Sequence, residues 1–359
     1  MNHPQHHPAR PLLPLAAVAT LVALVLASGA AIATPLPTTS PAATVATGQR
    51  PASVPAEFMP TPNGYLHPDC VHQVGANQVV LPNGSGEVIV DLPAAALAEL
   101  PQSGDKSAAD LVTAADKAKG RQIPACGHPR FDLHGKPVAP GKPGVPQAGT
   151  VPDVTGWVAD ASATVGSMSY LRATWTVPPA PTVIGPQTVY FFPGLQNLTG
   201  TPIIMQPVLA WNQIGSGFTE WSIASWNCCS VGNTYHSAYL PVTGTTVYGT
   251  ITGTGCSSST GVCSTWKIVT KDNGSLASTS FTTTAGGRKM NWTFGAALEV
   301  YSVSECGQFP GSSVIFSGLY FKNVAGTRKY PSWTYLTTDA TPQCGYSVKG
   351  TSSTITVKY

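Results

Sequence analysis

The C-terminal part of the chain is a succession of short apolar runs that are rich in β-branched and aromatic residues. The clearest runs lie at 171–177, 188–192, 246–251, 265–269, 298–303 and 354–357. Gly, Pro, Asn and Ser separate these runs, and hardly any stretch has a helical period. Such spacing predicts an all-β fold, an antiparallel double-sheet β-sandwich of roughly 200 residues that occupies 151–359.

The N-terminus has the features of a secretory signal peptide over residues 1–33. Arg10 precedes an apolar stretch from Leu12 to Leu26, and the small residues at 31–33 form a cleavage site. The apolar stretch is about 15 residues long, which is shorter than the roughly 20 residues of a membrane span. We therefore expect a secreted, extracellular protein with no stable membrane association after signal removal; an uncleaved anchor is the alternative.

Residues 34–150 differ in composition from the sandwich. Residues 34–60 are rich in Pro, Ala and Thr and predict a disordered leader. Residues 61–135 predict a small mixed unit, and a Pro/Gly-rich linker follows at 135–153. The chain thus divides into a signal peptide, a Pro-rich leader with its mixed unit and linker, and a sandwich domain.

The mixed unit carries a helix signal. Ala108 to Lys119 predicts a short helix, and Gly120 is suited to end it. Ser107 is the predicted N-cap, because residues 107–110 have the spacing of a capping box.

Charge excludes one class of partner. Charged residues make up 10% of the chain, whereas roughly 25% is average for soluble proteins. The net charge is +3 and no run of Lys or Arg occurs, so we expect no nucleic-acid partner. We expect a monomer.

Eight cysteines follow the signal peptide, and an even number in an exported chain predicts disulfides. Close spacing favours a pair across the loop at 256–263. Cys70 with Cys126 and Cys306 with Cys344 would each close one terminal region. The adjacent Cys228 and Cys229 either form a vicinal bridge or pair elsewhere.

Several kinds of active site are excluded by composition. After residue 150 the chain has one histidine, His236, and no GxSxG elbow, phosphate loop or dinucleotide fingerprint. A hydrogen-bonded structural histidine is the favoured interpretation of His236. We therefore expect no metal and no cofactor.

The same region has only seven acids: Asp153, Asp160, Glu220, Asp272, Glu299, Glu305 and Asp339. Asp272 falls in a hairpin-turn signal, and Glu305 stands beside Cys306 at a probable strand end. Glu220 precedes Trp221 and is the weaker candidate for a cleft acid. Glu299 is the best candidate, because it lies in an apolar run where burial disfavours its charged form.

Gln206 is a second polar residue inside an apolar run, at 203–207. An amide can donate to a developing oxyanion and accept a hydrogen bond from water without titrating. A glutamate can take a proton from that water and then give it to a leaving nitrogen. Gln206 and Glu299 therefore have complementary chemistry for hydrolysis of an amide bond.

The residues around these two positions resemble those of the glutamic peptidases known as eqolisins. That family shares a Leu-Gln strand motif and an Ala-Glu strand motif, which correspond here to 205–206 and 298–299. The segment 173–178 resembles the family's entry strand, and 192–195 stands where the family has Trp-x-Gly-Ile. Gln196 replaces the aspartate that usually follows, and Ser225 replaces the glutamate before the cleft tryptophan.

The resemblance implies a concanavalin A-like sandwich and a secreted endopeptidase that acts at acid pH on a protein or peptide substrate. Gln206 and Glu299 would be the catalytic dyad, and residues 34–150 would fit a propeptide. The expected substrate-binding residues are Trp175, Trp211, Trp226 and Gln196.

Two other functions fit the same fold class. A glucan-cleaving enzyme requires two carboxylates about 5 to 9.5 Å apart, so Glu299 would pair with Glu220 or Glu305. A carbohydrate-binding protein would use Trp211, Trp221 and Trp226 to stack on sugar rings and would need no dyad.

Overall fold

The computed structural model describes residues 50–93, 108–132, 134–138, 157–217, 219–229, 231–337 and 342–359. The predicted signal peptide, Ser107 and most of the linker lie outside the described residues. Within the described part of the chain, no helix is both long and apolar enough to span a membrane.

The N-terminal region contributes short strands and a few helical turns. The strands are β1 (Met59–Thr61), β2 (Gly64–Leu66), β3 (Val71–Gln73), β4 (Gln78–Asn83), β5 (Gly86–Asp91), β6 (Arg121–Ile123), β7 (Arg130–Phe131) and β8 (Pro137–Val138). A 3-10 helix spans Pro68–Cys70, a second spans Ala108–Leu111, and helix α1 spans Ala114–Lys119.

The C-terminal region is almost wholly β. Its strands are β9 (Trp157–Thr164), β10 (Met168–Thr176), β11 (Thr188–Gln196), β12 (Ile204–Trp211), β13 (Trp221–Cys228), β14 (Thr234–His236), β15 (Leu240–Pro241), β16 (Thr246–Ser257), β17 (Val262–Asp272), β18 (Ser278–Thr283), β19 (Trp292–Tyr301), β20 (Val314–Asn323), β21 (Arg328–Lys329), β22 (Thr334–Thr337), β23 (Ser347–Gly350) and β24 (Ile355–Lys358). A 3-10 helix at Cys306–Gln308 follows β19.

These strands form two large sheets. The front sheet has the order β22-β9-β19-β11-β12-β13-β14-β3, with β15 beside β13. The back sheet has the order β23-β24-β20-β10-β16-β17-β18-β4-β5-β6, with β21 beside β20. A small sheet, β1-β2-β7-β8, stands apart from both. The architecture is therefore the sandwich-like all-β fold that the sequence predicted.

The sheets are mixed rather than purely antiparallel, and the reason lies in the N-terminal region. Among the described strands, pairs within the C-terminal region are antiparallel. Parallel pairs occur where β3 joins β14 and where β4 joins β18. The N-terminal region thus extends both sheets instead of forming a separate small unit.

Alternation along β12 separates two apolar layers, one on each face of the front sheet. In β12, Met205 and Leu209 point into the core between the two sheets. Ile204, Val208 and Ala210 point to the opposite face and belong to a second apolar cluster. Because side chains alternate with a period of two, Gln206 must lie on this opposite face as well.

The N-terminal region covers this second face. Val54, Phe58, Tyr65 and Phe131 pack in the same cluster as the outer-face aromatics of the front sheet. A strand that is buried on both faces needs apolar residues on both, which explains why the runs in β11, β12 and β19 show so little polar alternation. Burial of Val54 and Phe58 also shows that residues 50–60 are ordered, unlike the disordered leader that composition predicted.

The α-helix begins later than the sequence pattern predicts. The segment Ala108–Leu111 is a 3-10 helix, and α1 begins only at Ala114. Thr113 caps α1, and Thr113 and Asp116 form the capping box. Residues 113–116 repeat the Ser/Thr-x-x-Asp spacing of residues 107–110, so the pattern could not distinguish the two positions.

All eight cysteines are paired, and the local pairing predicted from spacing is confirmed. The bridges are Cys70–Cys126, Cys228–Cys229, Cys256–Cys263 and Cys306–Cys344. The vicinal alternative therefore holds for the adjacent pair. No bridge joins the N-terminal region to the C-terminal region, so noncovalent contacts and the linker hold them together.

We predict that Gly194→Ala destabilises the protein by roughly 2–4 kcal/mol, because a methyl group there meets packed neighbours. The added Cβ would lie 2.1 Å from Phe294 Cζ and 2.5 Å from the carbonyl oxygen of Met205. Gly166→Ala is the matched control, since nothing lies within 4 Å of its Cβ position. Equal urea midpoints for the two variants would contradict the packing described here.

Candidate active site

Gln206 and Glu299 lie on the same face of the front sheet, and both side chains are fully buried. Gln206 stands in β12 opposite Trp226 of β13. Glu299 stands in β19, with Tyr190 opposite it on β11. Strand β11 separates the two positions, so their side chains approach across this strand rather than as a direct cross-strand pair.

The hairpin formed by β1 and β2 covers both residues, and its tip is the two-residue turn Pro62-Asn63. The Gln206 amide nitrogen donates to the carbonyl oxygen of Pro62 at 3.2 Å. The Asn63 amide in turn donates to Gln206 Oε1 at 3.2 Å. Both ends of the Gln206 amide are therefore bound to the hairpin tip.

The hairpin reaches Glu299 through a tyrosine. The amide nitrogen of Gly64 donates to the Tyr301 hydroxyl at 2.8 Å, and that hydroxyl donates to Glu299 Oε1. Trp157 Nε1 donates to Glu299 Oε2 at 3.1 Å. Burial and the neighbouring Glu299 carboxylate hold the pKa of Tyr301 well above its ordinary value, so Tyr301 stays a proton donor.

A small cavity borders Glu299. Its volume is about 20 Å³, and Gln196, Asn63, Arg130 and Trp157 also line it. A cavity of this size has room for about one water molecule. The Oε1 atom of Gln196 is buried and has no hydrogen-bond partner among the described residues, so it offers an acceptor for such a water.

The expected tryptophans divide between the two layers. Trp226 shares the outer face with Gln206, which it faces across the strand pair. Trp175 and Trp211 instead lie in the core between the sheets, where Trp175 stacks on Phe316 at 5.7 Å and Trp211 packs on Trp221. This corrects the sequence-based placement of Trp175 and Trp211 at the cleft, because their strand parity points them inward.

His236 has the surroundings of a structural histidine. Its Nδ1 lies 2.8 Å from the carbonyl oxygen of Ser237, and its ring stacks on Tyr239 at 4.5 Å. Burial lowers the pKa of His236 to about 4, so the ring is neutral through most of the acid range.

The other acids considered as partners for Glu299 lie elsewhere. Glu220 is exposed before β13, three strands from β19, which amounts to about 14 Å across the sheet. Glu305 is exposed beyond the end of β19. Asp272 is a buried turn residue: burial alone would raise its pKa, but hydrogen bonds from Ser275, Gly274 and Thr243 lower it on balance.

Asp160 is a buried acid that sequence reasoning passed over. It lies in β9 opposite Ala297, on the same face of the front sheet as Glu299, and a β-bulge separates their two positions along the β9–β19 ladder. Burial raises the pKa of Asp160 to about 6, although a hydrogen bond with Ser162 opposes the shift. An acid inside the apolar run 157–161 was the available signal, since the same rule singled out Glu299.

No family model matches the sequence, and no curated protein matches it. Solved structures of similar fold include the following three. Scytalido-glutamic peptidase with a transition state analog inhibitor is 12% identical, covers 57% of this chain and 98% of its own, and gives a TM-score of 0.42. The same peptidase with a peptide-based transition state analog is also 12% identical, covers 57% of this chain and 98% of its own, and gives a TM-score of 0.41.

The third is SCP-B, a member of the Eqolisin family of peptidases in a complex with the tripeptide Ala-Ile-His. It is 13% identical, covers 57% of this chain and 98% of its own, and gives a TM-score of 0.40. At this identity the likeness concerns the fold alone.

We predict that Asp160→Asn stabilises the protein more at pH 7 than at pH 4. A raised pKa means that the folded state retains a proton between about pH 4 and 6, so the contribution of Asp160 to stability is lost as pH rises through 6. The stability of the variant relative to wild type should rise by about 2–3 kcal/mol across this window.

The buried His236 has the opposite effect, because its stabilising contribution is lost as pH falls from 6.5 towards 4. It is present in both proteins, so the difference between them isolates Asp160. Urea unfolding at pH 4, 5, 6 and 7 measures this difference, with Asp91→Asn at an exposed position as the matched control. A difference that stays constant with pH would contradict the prediction.

Proposed function

We propose that this chain is a secreted endopeptidase in which Glu299 activates water and Gln206 stabilises the tetrahedral oxyanion. One observation carries the proposal: the Gln206 amide already donates to a peptide carbonyl, that of Pro62. Two residues further on, the amide of Gly64 connects through Tyr301 to the Glu299 carboxylate. The site thus binds peptide backbone with the polarity that amide hydrolysis requires.

The proposed reaction needs no group beyond these side chains and a water. Glu299 takes a proton from the water as it attacks the scissile carbonyl, and the Gln206 N–H stabilises the developing oxyanion. Protonated Glu299 then gives its proton to the leaving nitrogen. Tyr301 and Trp157 orient the carboxylate through their hydrogen bonds.

The N-terminal region acts as an inhibitory propeptide in this proposal. The Pro62-Asn63 turn occupies the place of a substrate, but several contacts favour a plug over a substrate. Thr61 Oγ1 donates to the carbonyl of Gly64 at 2.9 Å, and Arg130 donates to the carbonyl of Asn63 at 2.9 Å. Strand pairing between β1 and β2 would hold both ends of a cut turn in place.

A two-carboxylate glycosidase is the second candidate. Asp160 favours it, because this buried acid lies on the same face of the front sheet as Glu299 and on the neighbouring strand, and a glycosidase requires two carboxylates. Its raised pKa of about 6 suits a general acid. This function assigns no role to the Gln206 amide, which is where the two candidates differ.

We predict that Glu299→Gln and Gln206→Ala each abolish proteolysis. The enzyme is prepared by cutting the chain between residues 138 and 157 and removing the N-terminal piece. The assay is digestion of an unfolded protein between pH 2 and 7. Loss of the general base should lower the rate by about 10²–10⁴-fold, and loss of the oxyanion donor by about 10²–10³-fold. Glu305→Gln, an exposed acid beyond the same strand, is the matched control.

Circular dichroism confirms that each variant is folded. Asp160→Asn separates the two functions: a peptidase retains most of its activity, whereas a glycosidase loses glucan cleavage. Absence of proteolysis by the cut wild type at every pH would refute the peptidase proposal.

We predict that the uncut chain is latent and that Asn63→Ala partly activates it. The substitution leaves the buried Gln206 Oε1 without its hydrogen bond from Asn63, which costs about 1–3 kcal/mol and weakens seating of the hairpin. Activity of the uncut variant should rise at least about tenfold above that of the uncut wild type. Asn83→Ala, in an exposed turn of the same region, should leave latency intact.

A further inference from the structure

A second cluster of polar side chains lies at the base of the hairpin. His67 directly follows β2, Asp69 belongs to the 3-10 helix Pro68–Cys70, and His128 stands two residues before β7, which pairs with β2. This is the only group of three or more metal-ligating side chains within reach of one another among the described residues. The Cys70–Cys126 disulfide joins the two segments beside the cluster.

The distances between Asp69 and the two histidines are close to the distances between the ligand atoms of a bound metal ion. Asp69 Oδ2 lies 3.5 Å from His67 Nδ1 and 3.8 Å from His128 Nε2. Tetrahedral zinc ligands with bonds of about 2.0–2.1 Å are about 3.3–3.4 Å apart. The three ligand atoms lie within 4.8 Å of one another, so both Asp69 distances need only a small contraction, whereas the stacked rings must rotate to direct their nitrogens at one ion.

The imidazole rings are already ordered. They are parallel within 8° with centroids 3.7 Å apart, and Phe58 packs edge-on against both. The backbone N–H of Asp69 donates to His67 Nδ1 at 3.2 Å, which fixes that nitrogen as the unprotonated one. An ion would replace this hydrogen bond, and the two rings would tilt towards it.

We propose that His67, Asp69 and His128 form a binding site for a divalent first-row transition metal, with Zn²⁺ as the best-suited ion, in contrast to the absence of a metal expected from the sequence after residue 150. Two imidazoles and one carboxylate match its ligand preference. Asp69 and His128 are exposed, with 78% and 43% of their side-chain surface accessible, so water completes the coordination. The ion fastens the base of the hairpin that covers Gln206 and Glu299.

The test is calorimetric titration of the untagged full chain with Zn²⁺ at pH 7. His128→Ala and Asp69→Asn should each weaken one site by at least about tenfold. His134→Ala, an exposed histidine of the same region, is the matched control and should retain the site. His3, His6 and His7 are present in every protein compared, so they cancel in the differences.

Two further readouts do not depend on peptidase activity. Zn²⁺ should raise the unfolding temperature of wild type but not of His128→Ala. Co²⁺ should give tetrahedral ligand-field absorption that disappears in both ligand variants. Unchanged affinity and stoichiometry in both variants would overturn the proposal, and a stacked histidine pair beside an acid would then be a purely structural contact.

Discussion

The fold depends on burial of both faces of the front sheet. Its inner face packs on the back sheet, and its outer face is apolar enough to need a cover, which the N-terminal region provides. Two fully buried polar side chains, Gln206 and Glu299, interrupt this outer layer. A buried amide or carboxylate is strongly destabilising unless it is hydrogen-bonded. Pro62 and Asn63 of the hairpin bond the Gln206 amide, and Tyr301 and Trp157 bond the Glu299 carboxylate.

Under the proposed function, this constraint connects stability to latency. The hydrogen bonds that make burial of Gln206 tolerable come from the hairpin that covers it, and Gly64 of the hairpin bonds Tyr301, which in turn bonds Glu299. Under the proposed function, removal of the hairpin opens Gln206 to a peptide and uncovers the apolar surface that Tyr190, Phe192 and Trp226 form beside it. In that proposal, the Gln206 amide can hydrogen-bond to the backbone of a peptide, and the aromatic surface can pack against the side chains of the peptide.

The sequence predicted the strands well, because each is a short apolar run between turn residues. It singled out Gln206 and Glu299 as candidates because a lone polar residue in an apolar run is conspicuous, and both are buried in the structure. It could not place Trp175 and Trp211, since which face of a strand looks outward depends on packing rather than on composition. Asp160 met the same rule as Glu299, but it lies outside the segments that carry the family resemblance, and its burial is shown only by the structure.

The N-terminal region was the least predictable part. Composition indicated disorder up to residue 60, yet Val54 and Phe58 are buried because the front sheet offers them an apolar surface. Nor does any local pattern reveal that β3 and β4 join strands more than 150 residues away. Such pairing is decided by the unpaired edges of the two sheets, which a linear pattern does not display.

The most direct test of this account is hydrogen exchange of the segment Met59–Leu66 in the uncut protein, followed by mass spectrometry. If the hairpin is seated on Gln206 and Glu299, its amides, that of Gly64 above all, should exchange as slowly as those of the neighbouring sheet strands. Exchange at the rate of an unstructured peptide would contradict this arrangement. Gln206 and Glu299 would then lack the hairpin on which their burial and the proposed latency depend.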